Sequence, residues 1–78
     1  MILTDEQFEC LGLLAGSKKP VPAVELTERY GTMEIDRMSI DGYINFVDGG
    51  YEISFKGKRL YSTQETEIEN QRKKRFGL

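Results

Sequence analysis

Histidine is absent from the chain, and with it go the commonest general base, the commonest neutral metal ligand and the usual physiological pH switch. Cysteine occurs once, as Cys10, so neither an internal disulfide nor a multi-thiolate metal site can form. A lone thiol fits a reducing compartment and reads as a small apolar core residue. Long hydrophobic runs are missing too: the opening MILTDEQ has three apolar residues, then Thr4 and two acids, the pattern of neither a secretory leader nor a membrane span. The expectation is a cytoplasmic, non-catalytic protein with no cofactor and no metal. Carboxylate pairs such as Asp5 with Glu6, or Glu65 with Glu69, have no imidazole or thiolate beside them and read as solvated surface.

Charge is what the chain has in quantity. Charged residues make up 31% of it and apolar residues 38%, with a net charge of −2. Seventy-eight residues make a single domain with a thin core, for which a second subunit or a partner would add buried surface.

Four helices and a hairpin are expected. In LTDEQFECLGLLAGS, Thr4 and Gln7 stand in capping-box spacing, and Asp5 and Glu6 suit the positive end of a helix. Phe8, Cys10, Leu11, Leu14 and Ala15 fall on one broad face, with Gly16 as a left-handed stop. Leu13 falls beside that stripe, either at the core margin or in an interface. Pro20 and Pro22 forbid a continuous helix and mark a turn or a very short strand. Ala23, Leu26, Thr27 and Tyr30 then define a second helix ending at Gly31. A short third helix runs from Thr32 to the Asp41-Gly42 pair, with Ile35, Met38 and also Met33 at helical spacing. In YINFVDGGYEISF, apolar and aromatic residues flank Asp48, Gly49 and Gly50, as in an antiparallel hairpin whose turn needs positive φ. Ser54 caps a fourth helix that starts in FKGKRLYSTQ with Leu60 and Tyr61 inward. Residues 63–78 form a polar extension of that helix or a frayed tail, since Ile68 is the only aliphatic residue between Leu60 and Leu78. The tyrosines Tyr30, Tyr43, Tyr51 and Tyr61 sit at element ends, where a ring can bury while its hydroxyl stays wet.

This order of elements resembles the winged helix-turn-helix superfamily of small prokaryotic and phage regulators. PVPAVELTERYG is similar to the family's second helix and its Gly turn. IDGYINF resembles the end of its recognition helix, and YEISFKGKRLYS its second wing strand and closing helix. The resemblance implies an α+β winged-helix domain that acts as a DNA-binding transcriptional regulator. One departure concerns length: Leu26 and Gly42 are closer in sequence than the family usually has them, so either the recognition helix or the turn before it is cut short.

The second departure is electrostatic. Between residues 32 and 54, Arg37 stands against Glu34, Asp36, Asp41, Asp48 and Glu52, and uncompensated carboxylates are repelled by phosphate. Positive charge lies at Lys18 and Lys19, at Lys56, Lys58 and Arg59, and at Arg72, Lys73, Lys74 and Arg75. Two binding surfaces follow. Double-stranded DNA would be met by Arg37, by Lys56, Lys58 and Arg59, and by the basic tail 72–75. A protein partner would instead face Glu34, Asp36, Asp41, Asp48 and Glu52. Arg37 is also spaced to pair with Glu34 or Asp41 on its own helix. The tail RKKR, preceded by ETEIE, suits a solvated helix with a Glu69 to Lys73 pair, a nucleic-acid contact, or a homodimer contact through the C-terminal helix.

Overall fold

The computed structural model describes the backbone of residues 3–77 and the side chains of residues 3–70. Among the described residues the fold is α+β, with four helices and a small three-stranded antiparallel sheet. In chain order these are α1 (Asp5–Ala15), β1 (Val21–Pro22), α2 (Ala23–Tyr30), α3 (Thr32–Ile40), β2 (Ile44–Val47), β3 (Gly50–Ile53) and α4 (Phe55–Gly77).

Helix α1 starts in a complete capping box. The Gln7 amide donates to Thr4 Oγ1 at 3.1 Å, and the Thr4 amide donates to Gln7 Oε1 at 3.1 Å, so two free donors of the first turn are satisfied reciprocally. Its inward face is Gln7, Cys10, Leu11 and Leu14, with Phe8 half-buried and Ala15 exposed. The buried arc is therefore narrower than expected, and the capping glutamine takes a place assigned to an apolar residue. Gly16 is right-handed, at φ −83°. The helix closes instead by tightening its last turn, the Ser17 amide donating to the Leu14 carbonyl. Leu13 is 38% exposed at the rim of the core.

The short strand expected at the prolines is β1, which pairs with β3 through Val21 with Tyr51 and Pro22 with Gly50. Sheet order is β1-β3-β2. The hairpin turn is narrower than the three residues expected: Asp48 and Gly49 both take positive φ, 49° and 78°, and Val47 pairs directly with Gly50. This is the two-residue turn whose twist matches that of the strands. Gly50 belongs to β3, where the Val21 carbonyl lies against its backbone in the space a Cβ would fill.

Helices α2 and α3 meet across Gly31 alone. At φ 89° and ψ 147°, it holds a backbone conformation that glycine adopts and L side chains avoid. On α3, Ile35 and Met38 are fully buried whereas Met33 is 81% exposed, so Met33 is a surface residue rather than an inward one. The core is Leu3, Cys10, Leu11, Leu14, Leu26, Ile35, Met38 and Ile44, with the four tyrosines half-buried around it.

Several contacts seat helix α4. Ser54 Oγ accepts from the Gly57 amide at 3.0 Å and donates to the Gly42 carbonyl, fastening the start of α4 to the end of the α3–β2 turn. Tyr61 stacks on Phe8 of α1 at 4.7 Å. Gln64 is buried and bonds in both directions to the Leu3 backbone, at 3.0 and 3.2 Å. From there α4 continues to Gly77, and the long dimension of 47 Å against 23 and 19 Å reflects its length. Among the described residues no helix is long and apolar enough to cross a membrane.

Candidate nucleic-acid interface

Helical geometry decides what α3 shows to solvent. With Ile35 and Met38 turned inward, steps of 100° put Met33, Asp36, Arg37 and Ile40 on the opposite side, and all four are exposed. Ile40 is 85% exposed, close to Met33 in value. The outward face of α3 thus carries one base, one acid and two apolar side chains.

The expected acidic residues do not gather on that face. Glu34 is half-buried and turned so that its charge, with that of Glu9, acts on Cys10 in α1. Asp41 stands at the C-terminal end of α3, Asp48 in the hairpin turn, and Glu52 on β3. Arg37 makes no ion pair with Glu34 or Asp41 among the described residues, so the intrahelical pairing read from the spacing is not formed.

The basic run KGKR divides as α4 turns. Lys56 Nζ donates to the Asp41 carbonyl at 2.8 Å and lies 5.3 Å from the centroid of the Tyr43 ring. An ammonium there satisfies a free carbonyl at the negative end of α3 and gains the attraction of the ring face. Arg59 shares a shallow groove with Lys56, Phe55, Leu60 and Thr63, because positions three and four apart stack on one side of a helix. Lys58 points elsewhere, into a cleft with Lys18, Lys19 and Glu52. Residues adjacent in sequence are therefore separated, and lysines forty positions apart are brought together. Of the remaining candidates, the side chains of Arg72, Lys73, Lys74 and Arg75 lie outside the described residues.

Sequence reasoning missed three features here: the exposure of Met33, the exposure of Ile40, and the meeting of Lys18 and Lys19 with Lys58. A helical wheel anchored on Ile35 and Met38 carries the signal for the first two. The third depends on the loop after α1 packing beside β3, which no local pattern encodes.

Burial dominates the titration of the interior. Desolvation, followed by the charges of Glu9 and Glu34, pushes the Cys10 thiol up from 9.0 to about 11. Tyr30 is raised first by burial and then by Cys10 and Glu9; its shielded hydroxyl makes no hydrogen bond of standard geometry. Tyr61 is raised by burial and then by Glu65. Among the described residues no group of three or more acidic or thiol side chains is placed to hold a metal ion. Comparison of the chain with protein-family models, with curated proteins and with solved structures finds no match.

Proposed function

We propose that this chain is a non-catalytic winged-helix module that binds duplex DNA, with α3 as the recognition helix and the β2–β3 hairpin as the wing. The observation that carries the reading is the outward face of α3. There an exposed, unpaired Arg37 stands between Met33 and Ile40, residue types suited to a guanine edge and to thymine methyl groups. Lys56 sits at the C-terminal end of the same helix and Arg59 beside it on α4, which supplies phosphate contacts continuous with that face. The element order, with β1 paired to the hairpin and a glycine turn between α2 and α3, supports the family reading. Asp48 at the turn gives the wing no attraction for phosphate, so α3 and the start of α4 carry the contact.

Fluorescence anisotropy with a labelled mixed-sequence duplex tests this. Binding should be measurable at low salt and weaken steadily as salt rises, because it depends on displaced counterions. Arg37→Ala should cost about 1–3 kcal/mol on a preferred sequence, and Arg59→Gln should reduce the salt slope by about one. Lys58→Gln, on the other flank of α4, should change neither. No binding at low salt ends the DNA reading.

A second reading has one observation behind it: Met33 and Ile40 are each more than 80% exposed, and large apolar groups so placed are common centres of protein contacts. With Asp36 beside them and Asp41 at the C-terminal end of the helix, the complementary partner would be a protein with basic groups around an apolar centre. In that case Ile40→Lys would abolish capture of the partner while leaving the thermal transition in place.

A further inference from the structure

We propose that α4 pairs antiparallel with α4 of a second copy of this chain, each copy's residues 72–76 lying along the groove between α1 and α4 of the other. That groove is lined by Phe8, Tyr61, Ile68, Glu65 and Glu69. Its floor is the stacked Phe8–Tyr61 pair with half-buried Ile68, and its rim carries two carboxylates. This pairing does not depend on DNA contact.

Three observations lead to it. Among the described residues, the last anchoring hydrogen bonds between α4 and the rest of the chain are those of Gln64 with Leu3, yet the helix continues to Gly77, about 20 Å further at 1.5 Å per residue. A helical segment of that length is marginal in water without something to pack on. Second, the segment is polarised: Glu65, Glu67 and Glu69 come first, then Arg72, Lys73, Lys74 and Arg75. Third, the groove offers what the end of the segment needs, because RKKRF brings four bases and Phe76 to an acidic rim over an aromatic floor.

Direction follows from charge. Two parallel copies would set acid against acid and base against base. An antiparallel pair about a two-fold axis near residue 70 sets Glu65 level with Arg75 of the other copy and Glu69 within a turn of its Arg72, and brings its Phe76 level with Gln64. Symmetry makes every such contact twice. Exposed ion pairs contribute only about 0–1 kcal/mol each and weaken in salt, so the dimer should be modest in affinity and salt-sensitive.

Sedimentation equilibrium of the full chain tests the pairing, without DNA. The wild type should approach twice the monomer mass at low salt and shift toward monomer at high salt. One variant carries Glu65→Lys, Glu67→Lys and Glu69→Lys; a second carries Arg72→Glu, Lys73→Glu, Lys74→Glu and Arg75→Glu. Each alone should be monomeric through self-repulsion, and an equimolar mixture should form a one-to-one heterodimer. Circular dichroism on each variant establishes that it is folded. A wild type that stays monomeric at low salt and millimolar concentration overturns the proposal. So does a dimer that survives both reversals, or two folded variants that fail to associate when mixed.

Discussion

At the scale of single residues, Cys10 joins packing to titration. It is 1% exposed in the centre of the core, and burial together with two nearby glutamates raises its thiol to about 11. Below pH 9 the thiol is neutral whether the chain is folded or not. Between about 9 and 11 the unfolded chain ionises while the folded one holds its proton, so stability falls as pH rises through that window. The loss reaches about 2–3 kcal/mol at the upper end, and the raised Tyr30 and Tyr61 act in the same direction. Urea midpoints measured across this range should decline, and Cys10→Ala should flatten the decline; an unchanged slope in that variant would place the effect elsewhere. The burial of Cys10 was legible in the sequence, because a lone thiol on the apolar stripe of a helix has little else to be. The burial of Gln7 was not, since its position follows from the capping bond rather than from hydropathy.

Elements show where local patterns suffice. Capping residues, helical spacing and the Asp-Gly hairpin signal each act within a few positions, and every helix and the hairpin could be placed from them. What they leave open is how one element meets the next. The close spacing of Leu26 and Gly42 left open how the residues between them divide into helix and turn; in the fold one residue separates α2 from α3, and α3 itself has nine. Gly31 sets that junction. Gly31→Ala should cost about 1–3 kcal/mol through strain alone, since no atom lies within 4 Å of where the new Cβ would sit. Gly16→Ala serves as the contrast. Gly16 has ordinary negative φ, and its nearest neighbour to a new Cβ would be 3.6 Å away, so this change should be neutral or stabilise by up to about 1 kcal/mol. Chemical denaturation of the two variants distinguishes them, and equal losses would contradict the assignment of strain to Gly31.

For the whole molecule, the main change from sequence to structure is in how charge is distributed. Counted along the chain, residues 32 to 54 are acidic and KGKR is a basic block. Folded, Glu34 turns toward Cys10, Lys56 is drawn to the Asp41 carbonyl, and Lys58 joins Lys18 and Lys19. A face with Arg37 at its centre is left on α3. Such sorting arises from the rotation of each helix about its axis and from loop packing, so a running count of charge cannot show it. The most direct measurement is a titration of the isotopically labelled chain with duplex DNA at low salt, followed by amide chemical shifts. Perturbations should concentrate on Met33, Arg37 and Ile40 of α3 and on Lys56 and Arg59 of α4, with Lys18, Lys19 and Lys58 unmoved. Shifts confined to the lysine cleft, or no shifts at all, would contradict the account.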